Sequence, residues 1–192
     1  MAKKKKKKNE WIDWVKALLI AVLVAFVVRM FLFAPIVVDG PSMLPNLHDR
    51  NQIIVNKVVY RLHEPERFDV VVFHASEKKD FIKRVVGLPG EHIEMENDTL
   101  YVDGEAVDEP YLDEEKSELG DSPAPLTDDF TLEDLPGEYD VIPDGHVLVL
   151  GDNRKNSTDS RRLGVIPIDS IVGKASFVYW PLNDLEWLNI KE

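Results

Sequence analysis

The chain has 192 residues, 44% of them hydrophobic and 30% charged, enough for one folded domain with an attachment and too apolar for wholesale disorder. It contains no cysteine, which excludes thiolate catalysis, cysteine-based zinc sites and disulfides together. The net charge of −12 is concentrated in residues 103–144, where 16 Asp or Glu face the single Lys116; a folded part of that sign excludes a nucleic-acid binder.

In chain order the first feature is the run Lys3 to Lys8, followed by "ALLIAVLVAFVV" at 17–28, apolar without interruption. A helix from about Trp14 to Phe33 is about 30 Å long at about 1.5 Å per residue, the thickness of a bilayer's hydrocarbon core. Trp11 and Trp14 suit one interface, Lys16 and Arg29 can reach opposite ones, and Pro35 supplies a stop. The lysine run should stay cytoplasmic, which sends the rest of the chain outside. The expected organisation is a basic tail over 1–11, a transmembrane helix over 12–34 and an extracytoplasmic domain over 35–192. A cleaved secretory signal or a buried core helix is the competing reading of the same run.

Beyond residue 36 the periodicity is that of strands. Short runs rich in Val, Ile, Phe and Tyr occur at 52–60, 69–74, 80–87, 91–95, 99–104, 146–151 and 171–180, punctuated by Pro, Gly, Asn and Asp. The fold class is mainly β. The acidic residues 105–140 lack that alternation for much of their length and read as a long, partly mobile excursion between strands, serving as a soluble surface or a partner site. The five histidines (48, 63, 74, 92, 146) never fall at metal-ligand spacing, so no metal or other cofactor is expected.

Three stretches carry polar residues suited to chemistry. "GPSMLPNL" at 40–47 holds Ser42 between two prolines, and a serine nucleophile needs a base. Neither G-x-S-x-G nor a histidine partner motif is present, so the candidate base is a lysine kept neutral by burial. Lys83, in "DFIKRVVGLPG", lies inside an apolar strand where alternation sends it and Arg84 to opposite faces. Pattern alone leaves open a strand with both basic heads at the surface. The third stretch, "GDNRKNSTDSRRLG" at 151–164, follows the apolar "HVLVL" and taken alone is a polar loop.

Together with "RFDVVVF" at 67–73, and in this order after an apolar N-terminal run, these motifs resemble type I bacterial signal peptidase in its small Gram-positive form. The resemblance implies a signal-peptidase/LexA-like β domain, with Ser42 as nucleophile, Lys83 as general base and Ser157 hydrogen-bonded to the lysine amine. It further implies an Asp159–Arg161 ion pair supporting the loop, Asp152 and Arg154 in related structural roles, and Met43 packed beneath the dyad. The implied substrates are secretory precursors with small residues at −1 and −3, and the implied partners are those signal peptides and membrane lipid; the address also brings the secretion machinery within reach, with no residue that demands it. Two positions depart from the pattern. Gly40 stands where some members carry an oxyanion-binding serine, leaving the Ser42 backbone N–H as one donor and the second unassigned, and Asn46 stands where Thr is usual. The competing functions are a self-cleaving serine–lysine protein of the LexA type, which should carry a DNA-binding domain in place of the apolar run, and a non-catalytic membrane-tethered β binding module.

Overall fold

The computed structural model of the chain describes residues 10–77, 79–120 and 124–188; the Lys3–Lys8 run lies outside them. Helix α1 spans Glu10–Val27 and passes into a π-helical turn, Val28–Leu32, around Arg29. The helix stops short of residue 34 because Phe33–Val37 is already strand β1, paired with β2 (Gln52–Asn56) from Phe33↔Asn56 to Val37↔Gln52. Pro35 sits within β1, which forms the sheet's edge, where its missing N–H costs no ladder bond. Among the described residues no helix is long and apolar enough to cross a membrane. Glu10, Asp13 and Lys16 occupy the first turns of α1 and leave it an unbroken apolar run only from Ala17.

The strand expected to reach residue 60 ends at Asn56, whose Oδ1 accepts the Val58 N–H at 3.0 Å and turns the chain into the short helix α2 (Val59–Leu62). There follow β3 (Val70–Ser76), β4 (Lys79–Gly87), β5 (Ile93–Glu96), β6 (Thr99–Val102) and β7 (Glu105–Val107). After the acidic helix α3 (Asp113–Leu119) come β8 (Phe130–Thr131), β9 (His146–Leu150), β10 (Ile166–Pro167), β11 (Ile171–Trp180) and β12 (Glu186–Trp187). The main sheet has the order β1-β2-β11-β3-β4-β9-β10, with β12 paired to β11, and a second sheet has the order β7-β6-β5-β8.

Both faces of the central strands are covered. Val70 and Val72 of β3 pack with Val38, Met43, Leu47 and Ile53, whereas Val71 and Phe73 pack with Val85, Val147 and Val149. A third cluster joins Val86, Leu148 and Leu150 of the main sheet to Ile93, Met95 and Leu100 of the second. Described parts of the acidic segment belong to this packing. Phe130, Leu132 and Leu135 enter the third cluster, and Leu112 and Leu126 are buried too.

Candidate active site

Ser42 is held by the loop around it. Met43 and Leu47, fully buried, anchor the turn in the core, and the Leu47 N–H closes it on Met43 O at 2.7 Å. Gly40 at the entrance has φ of +95°, a left-handed conformation that a side chain resists, and this explains glycine there although nothing crowds the position. Its N–H donates to Asp49 Oδ1 at 2.9 Å and is already committed. From the other side, the Asn153 N–H donates to Ser42 O and Asn153 Nδ2 to Pro41 O, each at 3.1 Å.

Lys83 comes from β4, and its Nζ lies 2.7 Å from Ser42 Oγ and donates to Ile82 O at 2.7 Å. Lys83 is 3% exposed and Arg84 4%, so neither basic head reaches the surface. Alternation does send them to different partners; both are buried because the strand is covered on both faces. Burial lowers the Lys83 amine from 10.5 to about 8, against the opposing charges of Asp159 and Asp152. As an ammonium it donates to the serine hydroxyl; as a neutral amine its lone pair accepts the Ser42 proton.

The polar loop begins at Gly151, the residue after β9, where a side chain would collide with the Ser157 hydroxyl and come within 2.6 Å of Ser42 O. Asp159 organises the loop. It caps α4 (Ser160–Leu163), accepts the Gly151 N–H at 3.0 Å and pairs with Arg161 at 2.8 Å. Burial alone would raise the Asp159 carboxyl; the Arg161 and Gly151 contacts outweigh it and hold it below its ordinary value. Ser160 Oγ accepts the Val149 N–H at 3.0 Å, tying the loop to its strand.

The ion pairs of this loop reach beyond it. Asp152 takes Arg84 in two parallel bonds, 2.9 and 2.7 Å, while Arg154 pairs with Glu109 and donates to Thr127 Oγ1 at 3.1 Å. Both partners lie outside the loop, and Glu109 and Thr127 belong to the acidic segment. The Ser157 hydroxyl, implied as a partner of the lysine amine, is buried and faces Asp159, whose carboxyl it helps hold low; the contacts of Lys83 Nζ are to Ser42 Oγ and Ile82 O. Residues singled out too little by sequence are Asn153, Ser160, Gly151 and Glu109. The motif string contains the first three, but Glu109 is one acid among many.

Ser42 and Lys83 stand in a cleft of about 310 Å³ between residues 36–42 and 80–83. Ile36, Val38, Ile53, Val72 and Ile82 give it apolar walls, and Asn156 and Thr158 of the loop close it. Away from the cleft, His92, Glu133 and Asp140 bring ligand atoms within 4.8 Å of one another, a grouping that sequence spacing hides. His92 Nδ1 is bonded there to Asp140 O at 2.7 Å.

A hydroxyl against a buried amine of lowered proton affinity, in an apolar trough, is the arrangement that activates a serine nucleophile without histidine. The family model for signal peptidase, peptidase S26, matches residues 11–180. A signal peptidase I of Bacillus caldolyticus is 48% identical over 183 residues, covering 95% of this chain and 97% of that one. A signal peptidase IB of Staphylococcus aureus is 42% identical over 184 residues, covering 94% and 95%. The crystal structure of a signal peptidase I from Enterococcus faecalis superposes with a TM-score of 0.56 at 38% identity, covering 59% of this chain and 98% of that one.

Proposed function

The chain belongs to the signal peptidase family, peptidase S26, and is a serine peptidase that removes signal peptides; from that premise we propose that Ser42 is its nucleophile and Lys83 its general base. The single observation that carries this assignment is the 2.7 Å contact between Ser42 Oγ and a buried Lys83 amine. Neutral Lys83 takes the serine proton, and the alkoxide attacks the scissile carbonyl. The ammonium so formed gives its proton to the leaving amine, and a water activated by Lys83 releases the acyl group. The Ser42 N–H is one oxyanion donor, and Gly40, engaged by Asp49, is not the other. Ser157, a buried hydroxyl beside Asp159 in the polar loop, is the residue assigned to orient the amine once it is charged. Met43 packs beneath the dyad. The ion pairs of Asp159 with Arg161, Asp152 with Arg84 and Arg154 with Glu109 hold the loop in place.

An extended substrate explains the preference for small residues at −1 and −3. Successive side chains of a strand alternate in direction, so these two point the same way into one apolar trough while −2 points out. A precursor with Ala at both positions is therefore cleaved at that bond. Leu or Trp at −1 or −3 lowers kcat/KM at least tenfold on the scale of ill-fitting side chains, and the same change at −2 costs little. Equal sensitivity at −2 and −3, measured on a peptide series, would count against the trough.

We also infer that α1 and its π-turn anchor the domain at a membrane, the segment expected over 12–34. Leu18, Leu19, Ile20, Val22, Leu23 and Val24 are all exposed, so the domain covers no face of the helix, and a lysine run precedes it. That run stays cytoplasmic and residues 35–192 stand outside, where emerging precursors meet Ser42. A LexA-type role is disfavoured by the lysine run and apolar helix that stand where that type should carry a DNA-binding domain, and a mere binding module by the dyad.

A further inference from the structure

Asn46 lies four residues after the nucleophile and is half-buried. Its Nδ2 donates to Tyr111 O at 3.0 Å and to Asp152 Oδ2 at 2.9 Å. Asp152 is fully buried and also receives Arg84, the neighbour of Lys83 in β4, on both carboxylate oxygens. The Tyr111 ring lies on the Arg84 guanidinium, 4.1 Å from its centroid, and the Tyr111 hydroxyl donates to Glu109 at 2.6 Å. Glu109 in turn pairs with Arg154 of the polar loop. One amide therefore joins four parts: the serine loop, the strand of the base, the polar loop and the acidic segment.

We propose that Asn46 is a positioning residue, whose amide sets the Ser42–Lys83 contact by holding Asp152 and Arg84 against the serine loop, and through which the acidic segment supports the dyad. The proposal rests on the reading of Ser42 and Lys83 as the catalytic pair. An amide has two N–H donors on one nitrogen and satisfies both acceptors; a threonine hydroxyl has one and can serve only one. The acidic segment is thereby part of the catalytic framework, a role that its composition does not suggest.

Charge gives the link a signature beyond stability. Asp152 is one of the carboxylates that favour the ammonium form of Lys83, Asp159 being the stronger, while burial opposes both. Asp152 is itself faced by Arg84, by Arg154 and by Glu115 of α3. Asn46→Asp keeps the shape, removes the donor and sets a second carboxylate beside Asp152. That added charge favours the ammonium, so the acidic limb of the pH–rate profile moves to higher pH by roughly half a unit.

The test compares the full chain with Asn46→Ala, Asn46→Thr and Asn46→Asp in detergent, using a precursor peptide with Ala at −1 and −3. Asn46→Ala should lower kcat about tenfold, with KM within about twofold, for loss of a charge-assisted bond that aligns the pair. Asn46→Thr should recover part of the loss, and Asn46→Asp should show the alkaline shift. Wild-type kcat in both Ala and Asp variants, a loss confined to KM, or a lowered melting point with unchanged kcat per folded molecule would overturn the proposal. If Asn46→Ala fails to fold, the Thr and Asp variants decide. Hydrogen exchange at the Asn153 N–H, which bonds Ser42 O, should quicken in the Ala and Asp variants whether or not peptide is cleaved, and unchanged exchange overturns the link. A wild-type chain that cleaves nothing defeats the dyad reading alone, and the exchange measurement tells the two failures apart.

Discussion

An exposed lysine holds its proton to about pH 10.4; Lys83 releases its own at about 8 because burial penalises the ammonium more than Asp159 and Asp152 favour it. The shift costs stability. Below pH 8 the amine is charged in both the folded and unfolded chain, and the folded form then carries a buried cation, a penalty on the order of 3 kcal/mol for lowering the amine from 10.5 to about 8. As pH rises from 8 toward 10.5 the unfolded chain holds more protons than the folded one, so stability rises through that window. Catalysis gains what stability loses. The kcat/KM for a precursor should climb tenfold per unit at low pH, bend near 8 and level above it, and a profile flat from pH 5 to 10 would contradict a lysine base. Ser42, Lys83 and the 151–164 loop were legible in the sequence because each lies in a distinctive string. That Lys83 and Arg84 are both buried was not, since alternation cannot tell that β4 is covered on both faces. Nor was the contact of Lys83 Nζ with Ile82 O, which no string of side chains announces.

At the scale of elements, the acidic segment is the part most altered by the structure. Read as an excursion, it instead contributes strands and buried leucines to the second sheet, and its Glu109 neutralises Arg154 in the interior. The partner lies 45 residues away in sequence, and nothing local distinguishes Glu109 from the other acids of the segment. Glu109→Gln leaves the Arg154 charge buried without its counterion and should destabilise the fold by about 3–5 kcal/mol. Chemical denaturation measures this; a loss below about 1 kcal/mol would mean the pair does not hold the loop. The edge strand β1 was hidden for another reason. Its apolar residues continue the greasy run before it, and Pro35 read naturally as the end of a helix, whereas the pairing with β2 that claims it is a long-range fact.

For the whole molecule, an acidic β domain follows a helix whose apolar side chains the domain leaves uncovered. The mainly β class was legible because seven of the strands carry regular Val- and Ile-rich runs. The sheet order, which brings residues 42, 83 and 151–159 to one cleft, was not. In intact cells, protease added outside should digest residues 35–192 and spare the lysine run; a protected domain would refute the proposed orientation. The central claim is tested most directly by processing of an Ala-x-Ala precursor in detergent by the wild type, Ser42→Ala and Lys83→Ala. The account predicts cleavage at the −1 bond by the wild type and none by either variant, both still folded by circular dichroism. Full cleavage by the folded Lys83→Ala variant would contradict it.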